Sequence, residues 1–73
     1  MTRLPRISGQ DCLSVLQNLG FFLRRQSGSH MIVRRDTPHC QVVIPNHKEL
    51  DPGTLRAIIR QTGLSVDDFI RLL

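Results

Sequence analysis

The stretch FFLRRQSGSHMIVRRDTPHCQVVIP, residues 21–45, decides the fold. It holds three short runs, 21–25, 30–35 and 40–44, rich in Phe, Ile and Val. Between them lie Gln26-Ser27-Gly28-Ser29 and Asp36-Thr37-Pro38-His39. Both are turn material, through glycine in one and the fixed backbone of proline in the other. Runs this short, joined by turns this short, predict an antiparallel meander of three strands that stops at Pro45.

Outward from the meander the apolar period changes to that of a helix. Ser8 and Asp11 have the spacing of a capping box, and Cys12, Val15, Leu16 and Leu19 follow on one face. The pattern predicts a helix over 9–19, stopped by Gly20. On the other side, Asp51 is a cap and Pro52 suits a first helical position, where no amide donor is needed. Leu55, Ile58 and Ile59 form the apolar face of this second helix, and Gly63 ends it. Ser65 to Asp68 starts a short terminal helix, with Phe69, Ile70 and Leu73 expected inward. The predicted class is α+β: an α-β-β-β-α order with a short extra C-terminal helix. Helices on both flanks of one antiparallel sheet should cover one face and leave the other open. No repeat or linker divides residues 1–73, so they read as a single domain, with 1–7 a short, basic, partly loose arm.

Composition limits what such a domain can do. With 73 residues, of which 40% are apolar, the chain has room for a small core but not for a deep cleft or a dinucleotide fold. Ten basic residues against six acidic give +4, and nine of the ten are arginine. Arginine's planar fork fits phosphate, so the balance points to a polyanion or an acidic protein. No apolar run approaches a membrane span, and residues 1–6 lack the apolar stretch of a signal peptide. Two cysteines, Cys12 and Cys40, make no disulfide framework, and reduced thiols in the cytoplasm are expected. The aromatics are Phe21, Phe22 and Phe69 alone, too few for base-stacking platforms.

The groups that could carry chemistry are few. No Ser-His-Asp arrangement is legible. His30, His39, Cys40 and His47 lack metal-ligand spacing, so neither a metal nor another cofactor is expected. His30 follows Ser27-Gly28-Ser29, a turn whose amides could point at a phosphate. Taken alone, it could equally be a polar residue that opens a strand. His47, after Pro45-Asn46, could be a second acid or base, a phosphate contact, or an organiser of the turn, and the last reading is favoured. His39 reads as a solvated turn residue. Arg24 and Arg25 end the first strand, and Arg34 and Arg35 end the second. Strand alternation should leave one member of each pair on the open face. Arg56 and Arg60 share a helix face, one turn apart.

Joint order and spacing add a resemblance. Ser8-Gly9, Leu19-Gly20-Phe21, Gly28-Ser29-His30, Ile44-Pro45-Asn46-His47, Gly53-Thr54-Leu55-Arg56 and Gly63-Leu64-Ser65 fall in the order found in the HicA (YcfA-like) toxin family. The chain resembles that family over about residues 8–70. The resemblance implies a double-stranded-RNA-binding-like fold and an endoribonuclease that cleaves mRNA. It also implies a HicB-like antitoxin partner and a catalytic histidine at the position of His30. Ser27, Gly28, Ser29, Arg24, Arg34 and Arg56 are then the expected RNA-binding residues, the last favoured by its place in the Gly-Thr-Leu-Arg match. The second proton-transfer group stays open among His47, His39, an arginine and water. A non-catalytic RNA-binding module of the same shape is the alternative.

Overall fold

Ser8 starts the first helix. In a computed structural model, which describes residues 3–73, its hydroxyl accepts from the Asp11 amide at 3.0 Å. The Asp11 carboxylate accepts in return from the Ser8 amide at 3.2 Å, completing the capping box. Helix α1 runs Gly9–Gln17, two residues short of its predicted end. The chain closes it early through the Phe21 amide, which donates to the Leu16 carbonyl at 3.1 Å, and the Gly20 amide, which donates to Gln17. This paired closure buries Phe21 beside Leu16 and withdraws it from the first strand.

The sheet is β1 (Phe22–Ser27), β2 (His30–Arg35) and β3 (Cys40–Pro45), antiparallel, in the order β1-β2-β3. Strand β1 extends two residues beyond its predicted end, because the first turn is shorter than its composition suggests: Ser27 pairs directly with His30. Alternation along β2 and β3 divides the faces. Met31, Val33, Val42 and Ile44 are buried, while Val43 between them is 47% exposed.

All the helices lie on the buried side. Helix α2 (Pro52–Thr62) is capped by Asp51, whose carboxylate accepts from the Gly53 and Thr54 amides at 3.1 and 3.4 Å. It packs Leu55, Ile58 and Ile59 toward β3, and α1 adds Cys12, Val15 and Leu16. Helix α3 (Val66–Arg71) packs on α2 and inserts Phe69, which is fully buried. Ile70 is partly buried, and Leu73, expected inward, is half exposed because it lies beyond the last helical residue. The arrangement is the α+β, three-stranded, helices-on-one-face fold expected from the sequence.

Of the expected basic arm, Met1 and Thr2 lie outside the described residues. Residues 3–7 run without regular structure, but they are held. Leu4 packs against the core, Ile7 is buried, and the Ile7 carbonyl accepts from the Leu50 amide at 2.8 Å.

Candidate functional site

Gly28 and Ser29 alone connect β1 to β2. Gly28 has φ +59° and Ser29 has no positive φ, the pattern of a two-residue type II′ turn with glycine first. A Cβ at Gly28 would meet nothing within 4 Å, so the glycine serves conformation and leaves the loop open to approach. The turn delivers His30 as the first residue of β2, exposed, with Ser27 opposite it on one side and Pro45 on the other.

Residues directly opposite in an antiparallel pair share a face. The register therefore writes the open face as three rows: Ser27, His30 and Pro45; Arg25, Ile32 and Val43; Phe22, Arg34 and Gln41. His30 lies on this face, on the same side as Ile32 and Arg34. Arg25 is there because the ladder slips by one residue between Leu23 and Arg25, leaving Arg24 as the extra, unpaired residue of a β-bulge. Without the bulge, alternation from Leu23 would have put Arg24 on the open face. Two residues along a strand are roughly 7 Å, so Arg25 stands one row from His30.

The arginines of this face differ in their freedom. Arg25 has no ion pair among the described residues. Arg34 is held, with its Nε 2.9 Å from Asp36 Oδ1 and its guanidinium 5.8 Å from the Phe22 ring centre. Arg35 turns to the other side, 4.7 Å over the Phe21 ring, and donates to the Pro38 carbonyl at 3.0 Å.

The His30 end of the sheet is stitched to the start of α1. The Asn46 amide donates to the Ser29 carbonyl at 2.6 Å, and the Gly9 amide donates to the His47 carbonyl at 2.9 Å. Gln10 Nε2 donates to Asn46 Oδ1 at 3.2 Å and contacts the Met31 sulfur at 3.5 Å. Gly9 is needed for this approach, since a Cβ there would overlap the Pro45 carbonyl oxygen. His47 thus contributes its backbone to the seam, and its residue is exposed. His39 lies in the β2–β3 turn, at the far end of β2 from His30. Arg56 is exposed on α2, away from the open-face rows, and borders a groove against residues 3–6.

The remaining candidates are quiet. Burial pushes the Cys12 thiol up to about 12, far from the thiolate a nucleophile needs. Cys40 donates its thiol to the Gln61 carbonyl at 3.3 Å. Among the described residues, no group of three or more His, Cys, Asp or Glu side chains is placed to hold a metal ion. No helix among them is long and apolar enough to cross a membrane. Arg25 is the open-face cation that residue types alone did not single out. Nothing in Leu23-Arg24-Arg25 announces a bulge, so no local signal could have chosen it.

Fold and site together define a small α+β domain of double-stranded-RNA-binding-like order, with an exposed histidine and unpaired arginine on its open sheet face. Residues 9–64 match the family described as the HicA toxin of bacterial toxin-antitoxin systems, and the chain belongs to that family. No curated protein matches the chain at a significant level. Membership makes it the toxin half of a toxin–antitoxin pair and implies an antitoxin partner.

Proposed function

We propose that this toxin is a metal-independent endoribonuclease that cleaves mRNA and is silenced by a HicB-like antitoxin lying over its histidine. The observation that carries the reading is His30, exposed at the tip of the β1–β2 hairpin with unpaired Arg25 one row away on the same face. RNA supplies its own nucleophile, so a shallow site suffices. The ribose 2′-oxygen attacks the adjacent phosphorus and loses its proton. The bond from phosphorus to the 5′-oxygen breaks, and that oxygen takes up a proton. The products are a 2′,3′-cyclic phosphate and a 5′-hydroxyl.

His30 serves one of the two proton transfers, since imidazole donates and accepts near neutral pH. His47 or water serves the other; His39, a strand's length away, does not. Arg25 and the Gly28 and Ser29 amides hold charge at the phosphate, while Arg24, Arg34 and Arg56 bind flanking backbone.

The test is cleavage of a single-stranded mRNA fragment by the purified protein in EDTA. The wild type should cut and leave cyclic phosphate ends, and His30→Ala should be slower by about 100-fold or more, the scale of lost acid–base catalysis. Undiminished cutting by His30→Ala would remove the histidine from the mechanism. RNA bound but never cut by the wild type, at any pH, would make the chain a binding module instead.

A further inference from the structure

Arg56 shares its groove with residues that have no role in the site around His30. Residues 3–6 form one wall, and residues 49, 50 and 52 with Arg56 form the other, around about 710 Å³. Three guanidiniums, of Arg3, Arg6 and Arg56, face one carboxylate, of Glu49, a surplus of two positive charges. We propose that this groove is a phosphate-backbone track that holds RNA running out from His30, with Arg3 and Arg6 as its new contacts. The inference rests on the RNA reading above and adds a binding subsite to it.

The charges are available. Arg6 pairs with Glu49 at 3.8 Å, but the two side chains are 85% and 61% exposed, so water screens the pair and a phosphate can replace the carboxylate. Arg3 and Arg56 have no ion pair among the described residues. The walls are firm. Pro5 and Pro52 fix the backbone on either side, and the Leu50 amide bonds to the Ile7 carbonyl at 2.8 Å. Firm walls lower the ordering loss on binding.

The groove is also tied to the hairpin through the chain. The chain from Leu50 back through exposed Lys48 reaches Asn46, whose amide holds the Ser29 carbonyl beside His30. Its two leucines give a protein partner no deep anchor. Leu50 is only 3% exposed and Leu4 is packed on the core, while the surplus positive charge suits a polyanion. No aromatic ring lines it, so it offers no platform on which a base could stack.

The experiment measures binding of a short fluorescein-labelled single-stranded RNA by anisotropy across a salt series, in a His30→Ala background that prevents cutting. Arg3→Gln/Arg6→Gln is compared with Arg60→Gln/Arg71→Gln, which removes the same charge elsewhere, and thermal melts confirm folding. The groove variant should bind more weakly. Its slope of log affinity against log salt should be shallower by about 1.4, at about 0.7 per phosphate contact. The loss should be equal for a uridine homopolymer and a mixed sequence, and the control should keep the parental slope. Equal slopes for groove variant and parent would overturn the track alone, as would equal losses in both double variants. Undiminished RNA binding with lost antitoxin binding would give the groove to the protein partner and likewise overturn it. Failure of the parent to bind RNA at all would instead overturn the RNA reading on which the track rests.

Discussion

Cys12 is wholly enclosed by α1 and the sheet, and its thiolate would have no solvation there. The folded chain therefore keeps the thiol proton until about pH 12, while the unfolded chain releases it above the ordinary 9.0. The sign follows directly: the folded state binds more protons in that window, so stability is full below pH 9.0 and falls as pH rises toward 12. The loss should approach about 1.4 kcal/mol per pH unit from this group. Urea unfolding at rising alkaline pH would measure it, and Cys12→Ala should show a flatter profile. The same burial sets reactivity. Iodoacetamide should label Cys40, which is only partly buried, and reach Cys12 only after denaturation.

Between elements, the most demanding contact is where the first turn of α1 meets the exit of β3. The Gly9 amide reaches the His47 carbonyl only because no side chain intervenes. Gly9→Ala must push Pro45 away, and backbone shifts of this kind cost about 1–3 kcal/mol. Chemical denaturation should show that loss, with the proposed RNA cleavage reduced as well, since Asn46 in the same loop holds the turn that carries His30. Much of this architecture was legible beforehand. Caps at Ser8, Asp51 and Ser65 and the Gly28 turn are contiguous signals that act over a few residues. The β1 register was not legible. The bulge at Arg24 depends on how β1 settles across the hairpin against Ile32 and Val33, and it alone places Arg25 in the row beside His30's. The closure of α1 on Phe21 is of the same kind, because phenylalanine fits a strand as well as a helix cap.

As a whole molecule, the domain depends on a small core that draws on every element except β1, whose residues are all exposed. Helix α3 lies beyond the family match at residues 9–64, yet its Phe69 is fully buried in that core. Phe69→Ala should cost about 3–5 kcal/mol. That is on the scale of the entire stability of a core this size, about 3–5 kcal/mol. Circular dichroism should find the variant without a cooperative melt, whereas substitution of exposed Leu73 should leave the melt unchanged. The net charge also acts at this scale. With a net charge of +4 and arginines on the open sheet face and in the groove beside α2, the proposed RNA association should weaken steeply with salt, as the anisotropy series would record.

By itself the sequence determined the element order, the helix starts, the hairpin that presents His30, and membership of the family. Each rests on residues that are near neighbours in the chain, where capping, turn chemistry and side-chain period act. Only the tertiary structure decided which face His30 occupies, that Arg25 pairs into the row next to it, and that residues 3–6 stand against Arg56. Those depend on strand register and on the packing of segments some fifty residues apart, more than half the length of so small a domain. Pairing over such distances is fixed by the assembled core, and local pattern does not encode it.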